Sequence, residues 1–519
     1  MTLVSRYQPL ALHQQKRRWL TVIVVALTFL ASSLAYTLAT LPSQPLRIDW
    51  GRPAAVRIPR VPGSDDEVVI NAISCTSGTA CSAGGFISTS KTTDAIVLNE
   101  SMGRWKRAQI IKGTAIPNEV DNASIKAISC ASPGNCSAGG SFINDEGLSS
   151  SELLGGDGPT TAFVVDEVHG KWRGAQAVTG AVAPGNEEGA TISYLSCAST
   201  GYCAAAGSFS SVGCADGDND CVLAGATYKR QFEKSFVVNE VRGVWGPPEW
   251  LRDANRGEYP NLNGLSCSTP GTCAAVGTSI SPSGQQEGFV ANETNGRWAS
   301  SVLFPGVSLA GQTSSTLSAV SCGSRGNCSA GGSYTDKLGH THPFVVDEIS
   351  GAWQRASEVK GATRPALNQY SQIQSMSCGS STHCTAFGES LGPAGAGLYF
   401  FVLTKRGRTW SPVRLVPGSA SFAFRGFSGS EMACSASESC TIAGSYFTLA
   451  SATRPYALSE DAGHFTRLAS LKGLTRLNLA PTSGSVDALS CGAKDNCVIV
   501  EEFAETDYLG LFFVHESPR

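Results

Sequence analysis

Three groups of residues have types and spacings that could do chemistry. Cysteines come first, eighteen in all. Sixteen form eight pairs with five residues between partners: Cys75/Cys81, Cys130/Cys136, Cys197/Cys203, Cys267/Cys273, Cys322/Cys328, Cys378/Cys384, Cys434/Cys440 and Cys491/Cys497. Cys214/Cys221 is a ninth pair, one residue wider. Paired thiols either oxidise to a bridge or hold zinc. A structural zinc site needs the shorter C-x₂₋₄-C spacing plus two further Cys or His ligands, and each pair here stands alone. An even count at regular spacing predicts nine disulfides. The second group is Asp216, Asp218 and Asp220, inside the Cys214/Cys221 loop together with Asn219. Clustered carboxylates suit Ca²⁺, which takes six to eight oxygens, although the EF-hand spacing and its bidentate Glu are missing. A solvated acidic loop is the plain alternative. The third group is Glu501 and Glu502. Glu501 stands where seven other repeats place a glycine, four residues after the second cysteine. A carboxylate there could bind a ligand, or act as acid or base if a neighbour raised its pKa, or it could simply fill space. His340 and His342 share a loop, and the sequence suggests no third ligand for them. No Ser-His-Asp order, phosphate loop or dinucleotide fingerprint sits on a suitable strand and helix. No cofactor is expected beyond the candidate Ca²⁺.

The elements that must position these groups follow from the repeat. First cysteines recur 55, 67, 70, 55, 56, 56 and 57 residues apart, so one supersecondary unit is stacked eight times. In the second unit, residues 125–130, 136–142, 162–167 and 172–178 each carry Val, Ile, Phe or Trp between turn residues, and each reads as a strand. A cysteine on either side of the first turn faces its partner across an antiparallel ladder, where opposed Cα atoms lie ~4.5–5.5 Å apart. Each bridge closes a seven-residue loop and contributes about 2–2.5 kcal/mol by chain entropy. A second turn, Glu-x-x-Gly-x-Trp, joins the third and fourth strands: Glu100/Gly103/Trp105, Glu167/Gly170/Trp172, Glu240/Gly243/Trp245, Glu293/Gly296/Trp298 and Glu348/Gly351/Trp353. The sixth repeat reads Thr404, Gly407 and Trp410, and the seventh Glu460, Gly463 and Phe465. The tryptophan is expected to cover the apolar face of its own hairpin.

Eight four-stranded units predict an all-β, eight-bladed β-propeller of disulfide-pinned blades. The last unit ends on its third strand, so residues 50–58 are expected to supply the missing fourth by pairing with 510–516, which removes a free sheet edge. Residues 50–519 then form the propeller. Before it come a cytoplasmic tail (1–18), a charge-free apolar stretch (19–41) and a linker (42–49). The apolar stretch is long enough to span a ~30 Å bilayer, with basic residues before it holding the tail inside, and a cleavable signal peptide is the rival reading. Both readings put the repeats outside the cytoplasm, on the outer face of the membrane or secreted. A net charge of −3 without like-charge runs argues against a nucleic-acid partner.

Ser137–Phe142, Ser-Ala-Gly-Gly-Ser-Phe, loosely resembles a Kelch blade, and Glu-x-x-Gly-x-Trp resembles the Asp-box turn of sialidases, without its serine and with the acidic residue displaced by one. Together with Ala162-Phe163-Val164-Val165-Asp166-Glu167, the cysteine pairs resemble exported actinobacterial-type proteins with tandem Ser-Cys-x₅-Cys and Glu-x-x-Gly-x-Trp repeats, over residues ~65–516. That resemblance implies a propeller-like repeat and export, and carries no reaction. Residues present in every repeat are scaffold, so function belongs where the repeat breaks. Both recurrent turns should share one face, leaving the variable loops 143–161, 208–232, 252–261, 282–288, 389–397 and 415–428 on the other. The function expected is binding of a protein or glycan at the cell surface through that long-loop face. A sialidase-like or other carbohydrate-active hydrolase or lyase and a structural envelope protein are the alternatives.

Overall fold

The structure is a computed structural model. It describes residues 49–50, 54–55, 67–89, 92–114, 122–143, 160–180, 189–212, 221–223, 226–228, 231–251, 261–304, 312–361, 370–391, 398–416, 424–435, 439–448, 453–461, 464–466, 469–470, 483–493, 496–505 and 508–517. The tail, the apolar stretch at 19–41, Cys214 and Asp216, Asp218 and Asp220 lie outside the described residues, as do most of the long loops. Among the described residues no helix is long and apolar enough to cross a membrane.

Eight antiparallel sheets repeat one order. In the second blade Ala123–Ser132 pairs with Asn135–Ile143, which pairs with Thr160–Val168. The fourth strand is not the continuous element expected. It is two short pieces, Lys171–Trp172 and Gln176–Ala177, because Arg173 to Ala175 leave the ladder between them. First strands of successive blades pack side by side, and that of the last blade, Ser483–Ala493, packs on that of the first, Glu67–Ser77. The chain is therefore an eight-bladed β-propeller, with the first strands around its axis.

The last blade takes its fourth strand from the beginning of the ring. Trp50 pairs with Glu516, and Ala54 and Ala55 with Phe513 and Phe512. Internal blades show the same register, Glu167 with Trp172 and Phe163 with Ala177.

All eight six-spaced cysteine pairs are bridged: Cys75 to Cys81, Cys130 to Cys136, Cys197 to Cys203, Cys267 to Cys273, Cys322 to Cys328, Cys378 to Cys384, Cys434 to Cys440 and Cys491 to Cys497. Their Cα atoms are 3.9–4.0 Å apart, which corrects the ~4.5–5.5 Å expected of an ordinary ladder pair. The ladder register slips beside most of the bridges, at Cys197/Ser199 and Cys322/Ser324 for example, where the chain is already turning. The two halves of a bridge differ in setting. The second cysteines, Cys81, Cys136, Cys203, Cys273, Cys328, Cys384, Cys440 and Cys497, are all buried, and several lie against a hydroxyl of the preceding blade. Ser137 Oγ is 3.4 Å from Cys203 Sγ, Ser329 Oγ 3.6 Å from Cys384 Sγ and Thr441 Oγ1 3.2 Å from Cys497 Sγ. Cys440 is completely buried and Cys328 belongs to an apolar cluster shared by the fourth and fifth blades. These sulfurs are thus packing material between blades as well as staples within them. Bridges in every blade suit an oxidising, extracytoplasmic compartment.

Cys221 differs from the other second cysteines. It opens a small ribbon that the repeat pattern did not lead one to expect, Cys221–Leu223 against Ala226–Tyr228, with Cys221 opposite Tyr228. The ninth pairing expected, Cys214 with Cys221, lies outside the described residues because Cys214 does.

The bridged turn and the Glu-x-x-Gly-x-Trp turn of one blade touch: Gly170 N donates to Gly134 O at 2.8 Å, and Gly351 N to Gly326 O at 2.8 Å. Both turns thus lie on one face of the ring. A Cβ on Gly134 would sit 2.9 Å from Gly170 N, so the turn is tight there, although Thr79 and Thr382 occupy the same place in the first and sixth blades. The Glu-x-x-Gly-x-Trp hairpins put Met102, His169, Arg242, Asn295 and Ser350 at φ of 51–55°, each followed by a glycine at positive φ, the two-residue type I′ geometry.

Two clamps join the blades. The serine before each first cysteine accepts a hydrogen bond from the backbone N–H of the next blade's first cysteine: Cys130 to Ser74 at 2.9 Å, Cys197 to Ser129 at 3.0 Å, and around to Cys75 and Ser490 at 2.9 Å. Only the seventh blade, with Ala433, has no hydroxyl to offer Cys491. Ala433→Ser is expected to complete the ring and stabilise the fold by about 0.5–1.5 kcal/mol, with Ser266→Ala costing a similar amount. Urea midpoints for both variants check this, and an unshifted or lowered midpoint for Ala433→Ser would contradict it.

The second clamp corrects the role expected for tryptophan. Trp172 packs between blades, its Nε1 donating to Asn99 Oδ1 of the preceding blade at 2.9 Å, while Asn99 Nδ2 donates to Glu167. Trp298 and Glu293 hold Asn239 at 3.1 and 2.8 Å, and Trp353 and Glu348 hold Asn292 at 2.9 and 2.6 Å. In the sixth blade the ladder opposes Trp410 with Lys405, so Lys405 and not Thr404 stands in the glutamate's place. The preceding blade there carries Asp347 instead of Asn, and Lys405 Nζ lies 2.9 Å from its carboxylate. Here a cation faces the acid, whereas in the third blade Glu240 keeps its place beside Asp166.

Candidate functional site

The axis is where repeated and unrepeated residues separate. Each first strand bulges one residue past its partner, at Asn71, Lys126, Ser193, Asn263, Ser318, Gln374 and Asp487 in seven of the blades. The bulge drives a backbone carbonyl against the second strand. A Cβ on Gly140 would lie 1.9 Å from Ser124 O, and one on Gly277 2.0 Å from Asn261 O and 2.8 Å from the Phe289 ring. That crowding explains the repeated glycine four residues after the second cysteine.

Glu501 holds that same register, opposite Val486 and Phe512, but as a carboxylate. It is wholly buried and neither oxygen has a hydrogen-bond partner. Burial, with the charge of Asp487 second, pushes its carboxyl up to about 8. Burial, then Glu502, pushes Asp487 up to about 7, against a 3.2 Å bond from Ser485 Oγ. Burial and then Glu67 raise Glu502. The sequence had singled out Glu501 and Glu502; the structure puts Glu501 inside the blade, away from solvent.

The residue three before each first cysteine is Ala72, Ala127, Tyr194, Gly264, Ala319, Ser375, Glu431 or Ala488, pairing in each blade with the residue three beyond the second cysteine. Six are small. The two large ones, Tyr194 and Glu431, belong to the third and seventh blades, which face each other in a ring of eight. Burial raises the Tyr194 phenol first, and the charge of Glu431 on the opposite blade raises it further. Glu431 is exposed to solvent yet ringed by protein, and that surrounding raises its carboxyl too. This pair was overlooked in the sequence, although aligning repeats on their cysteines exposes it.

More polar groups lie on the half of the channel away from the bridges. Glu389 Oε1 accepts from Gln372 and Gln374 at 2.9 and 2.8 Å, and its charge adds to the burial that raises the Tyr370 phenol. Lys126 is exposed there, and partial burial lowers its amine. The eight first strands carry one arginine, Arg425, so an arginine cluster for an anionic sugar is not built on them.

Clefts also open on the bridged face, one of about 470 Å³ between the first and second blades and one of about 540 Å³ between the second and third. Their walls are the repeated clamp residues, Asn99 with Glu167 and Asp166 with Glu240. In the second cleft, burial, then the Asp166 charge, pushes Glu240 up to about 7. These are blade seams repeated around the ring. The cysteines are scaffold in them too: Cys267 and Cys273 come within 4.8 Å of the Glu293 carboxylate, but as a bridged pair they have no thiolate to give a metal.

No family model and no curated relative matches the chain. Among solved structures it is similar to Sqt1 of Chaetomium thermophilum, at 12% identity and a TM-score of 0.42 over 90% of this chain and 98% of that one. It is also similar to the hemagglutinin-neuraminidase ectodomain of parainfluenza virus 5 (10%, 0.34, 97% of each chain). A protein of unknown function from Dyadobacter fermentans is a third (12%, 0.36, 62% of this chain and 93% of that one). Likenesses this distant bear on neither activity nor ligand.

Proposed function

We propose that this is an extracytoplasmic binding propeller that takes a glycan into its central channel from the long-loop face, with residues 19–41 anchoring it to the membrane or removed as a signal peptide. The observation that carries the reading is the Tyr194/Glu431 pair, two large polar side chains opposed across a ring whose other members are small. An aromatic face with carboxylates and carboxamides around it suits a chain of hydroxyls, offering stacking together with hydrogen-bond acceptors. The carboxylates of Glu431 and Glu389 favour neutral or amine-bearing sugars over uronates and sialic acids. Glu501, sealed from solvent, is a poor candidate for the acid of a hydrolase, and binding needs no such group.

A glycan array with the full-length protein is expected to return neutral or amino sugars. Tyr194→Ala and Glu431→Ala should each weaken the best hit roughly tenfold or more, the ~1.4 kcal/mol of a modest hot-spot contact. Binding that neither variant weakens would end the proposal, and an array with no hits would leave an envelope scaffold as the better reading.

A further inference from the structure

The turn between the second and third strands of the fifth blade, on the face away from the bridges, gathers three metal-ligating side chains the scaffold does not use. Asn327–Thr335 leads in and Thr341–Ile349 leads out. Asp336 caps the turn: its Oδ1 accepts from Leu338 N at 2.8 Å and His340 N at 2.9 Å, and its own N–H donates to His340 O at 2.9 Å. With Oδ1 thus occupied, Oδ2 faces His342 Nε2 at 3.0 Å and His340 Nδ1 at 3.4 Å. The three ligand atoms lie within 4.8 Å of one another. The third ligand missing from the sequence reading is therefore Asp336, four residues before His340.

We propose that Asp336, His340 and His342 bind a divalent transition metal, for which Zn²⁺ is the best fit. Ligand atoms ~2.0–2.1 Å from a tetrahedral zinc stand about 3.3 Å apart, close to both Asp–His separations here. Two imidazoles and one carboxylate select Zn²⁺ and its neighbours over Ca²⁺ and Mg²⁺, which take oxygens. Three protein ligands leave a position for water or for a ligand oxygen. The surroundings are those of a supported site. His342 Nδ1 points toward Glu358 Oε1 at 4.0 Å, its ring stacks on Tyr334 with centroids 5.0 Å apart, and Tyr334 bonds to Glu358. A carboxylate behind a ligating histidine fixes its ring and tautomer. With the ion on Nε2, the ring proton of His342 sits on Nδ1, the side that faces Glu358.

The test is calorimetric titration of chelator-treated full-length protein with Zn²⁺ alone, alongside Co²⁺ substitution followed by visible absorption. One ion per chain and intense four-coordinate Co²⁺ bands are expected. His340→Ala, at a partly exposed position in the turn, should abolish the bands. Glu358→Gln should weaken Zn²⁺ binding about 10- to 100-fold, with His342→Ala costing more. His169→Ala, in a turn on the other face, should change nothing. If His342→Ala fails to fold, the His340→Ala titration decides alone. Absence of Zn²⁺ binding, or binding that survives His340→Ala undiminished, would reduce the cluster to an ordinary Asp–His contact.

Discussion

Deleting residues 47–58 is expected to lower the melting temperature by roughly 10 °C or more and to make the protein aggregate. Strand Tyr508–Ser517 would keep its partner on one side, Asn496–Glu505, and lose Asp49–Trp50 and Ala54–Ala55 on the other. A ten-residue edge would lie open, an invitation to pair with another chain. The same strand carries Phe513, wholly buried and stacked on Trp105 of the first blade at 3.7 Å. Loosening that contact is a change on the order of 3–5 kcal/mol, as for truncating one buried aromatic. Each kcal/mol moves the midpoint of a large domain by about 2–4 °C. Differential scanning calorimetry and light scattering of the deleted chain check this, and a synthetic 47–58 peptide added in trans should restore part of the loss. An unchanged, monodisperse deletion variant would show that the shared strand does not hold the ring.

Glu501→Gln should stabilise the protein in alkaline solution and leave it nearly unchanged in mild acid. In the folded chain Glu501 keeps its proton up to about pH 8, while in the unfolded chain it loses it near the ordinary value of 4.5. Between those values the folded state holds more protons, so stability falls as pH rises, and the loss is complete above about 8. Removing the titrating group removes that loss, an effect on the order of 5 kcal/mol at about pH 9 and under about 1 kcal/mol at about pH 5. Glu100, Glu240 and Glu293, each pushed up to about 7 primarily by burial, contribute with the same sign. The parent protein should therefore melt higher at pH 5 than at pH 8, and Glu501→Gln should flatten that slope without abolishing it. Urea unfolding across this range decides, and a variant no more stable than its parent at alkaline pH would mean that Glu501 has a partner or is already charged.

What could be read before folding was whatever is local or repeated. A cysteine six residues from its partner can only close the hairpin between them, and a glycine that recurs at one place in seven repeats marks a tight spot. The first three strands of each blade, blade number, ring closure and the pairing of the eight six-spaced bridges all follow from such short-range facts, because a repeat turns one local reading into eight. Partners that come together only when the ring closes left a weaker trace. The serine before each cysteine was visible in seven repeats, but that its hydroxyl holds the next blade depends on how first strands pack side by side. Burial of Cys203, Cys384 and Cys497 against hydroxyls of the blade before has the same origin. Lys405 looked like a broken motif until its neighbour proved to be Asp347 on the adjacent blade. Asp336 was passed over because an Asx turn, not a spacing rule, swings its carboxylate onto two histidines. Tyr194 and Glu431, 237 positions apart in sequence, come onto opposite blades because an even-numbered ring sets its third and seventh members face to face. Tertiary structure decided these contacts because chain order says nothing of which blade lies across a closed circle, whereas covalent spacing already limits what two nearby cysteines can do.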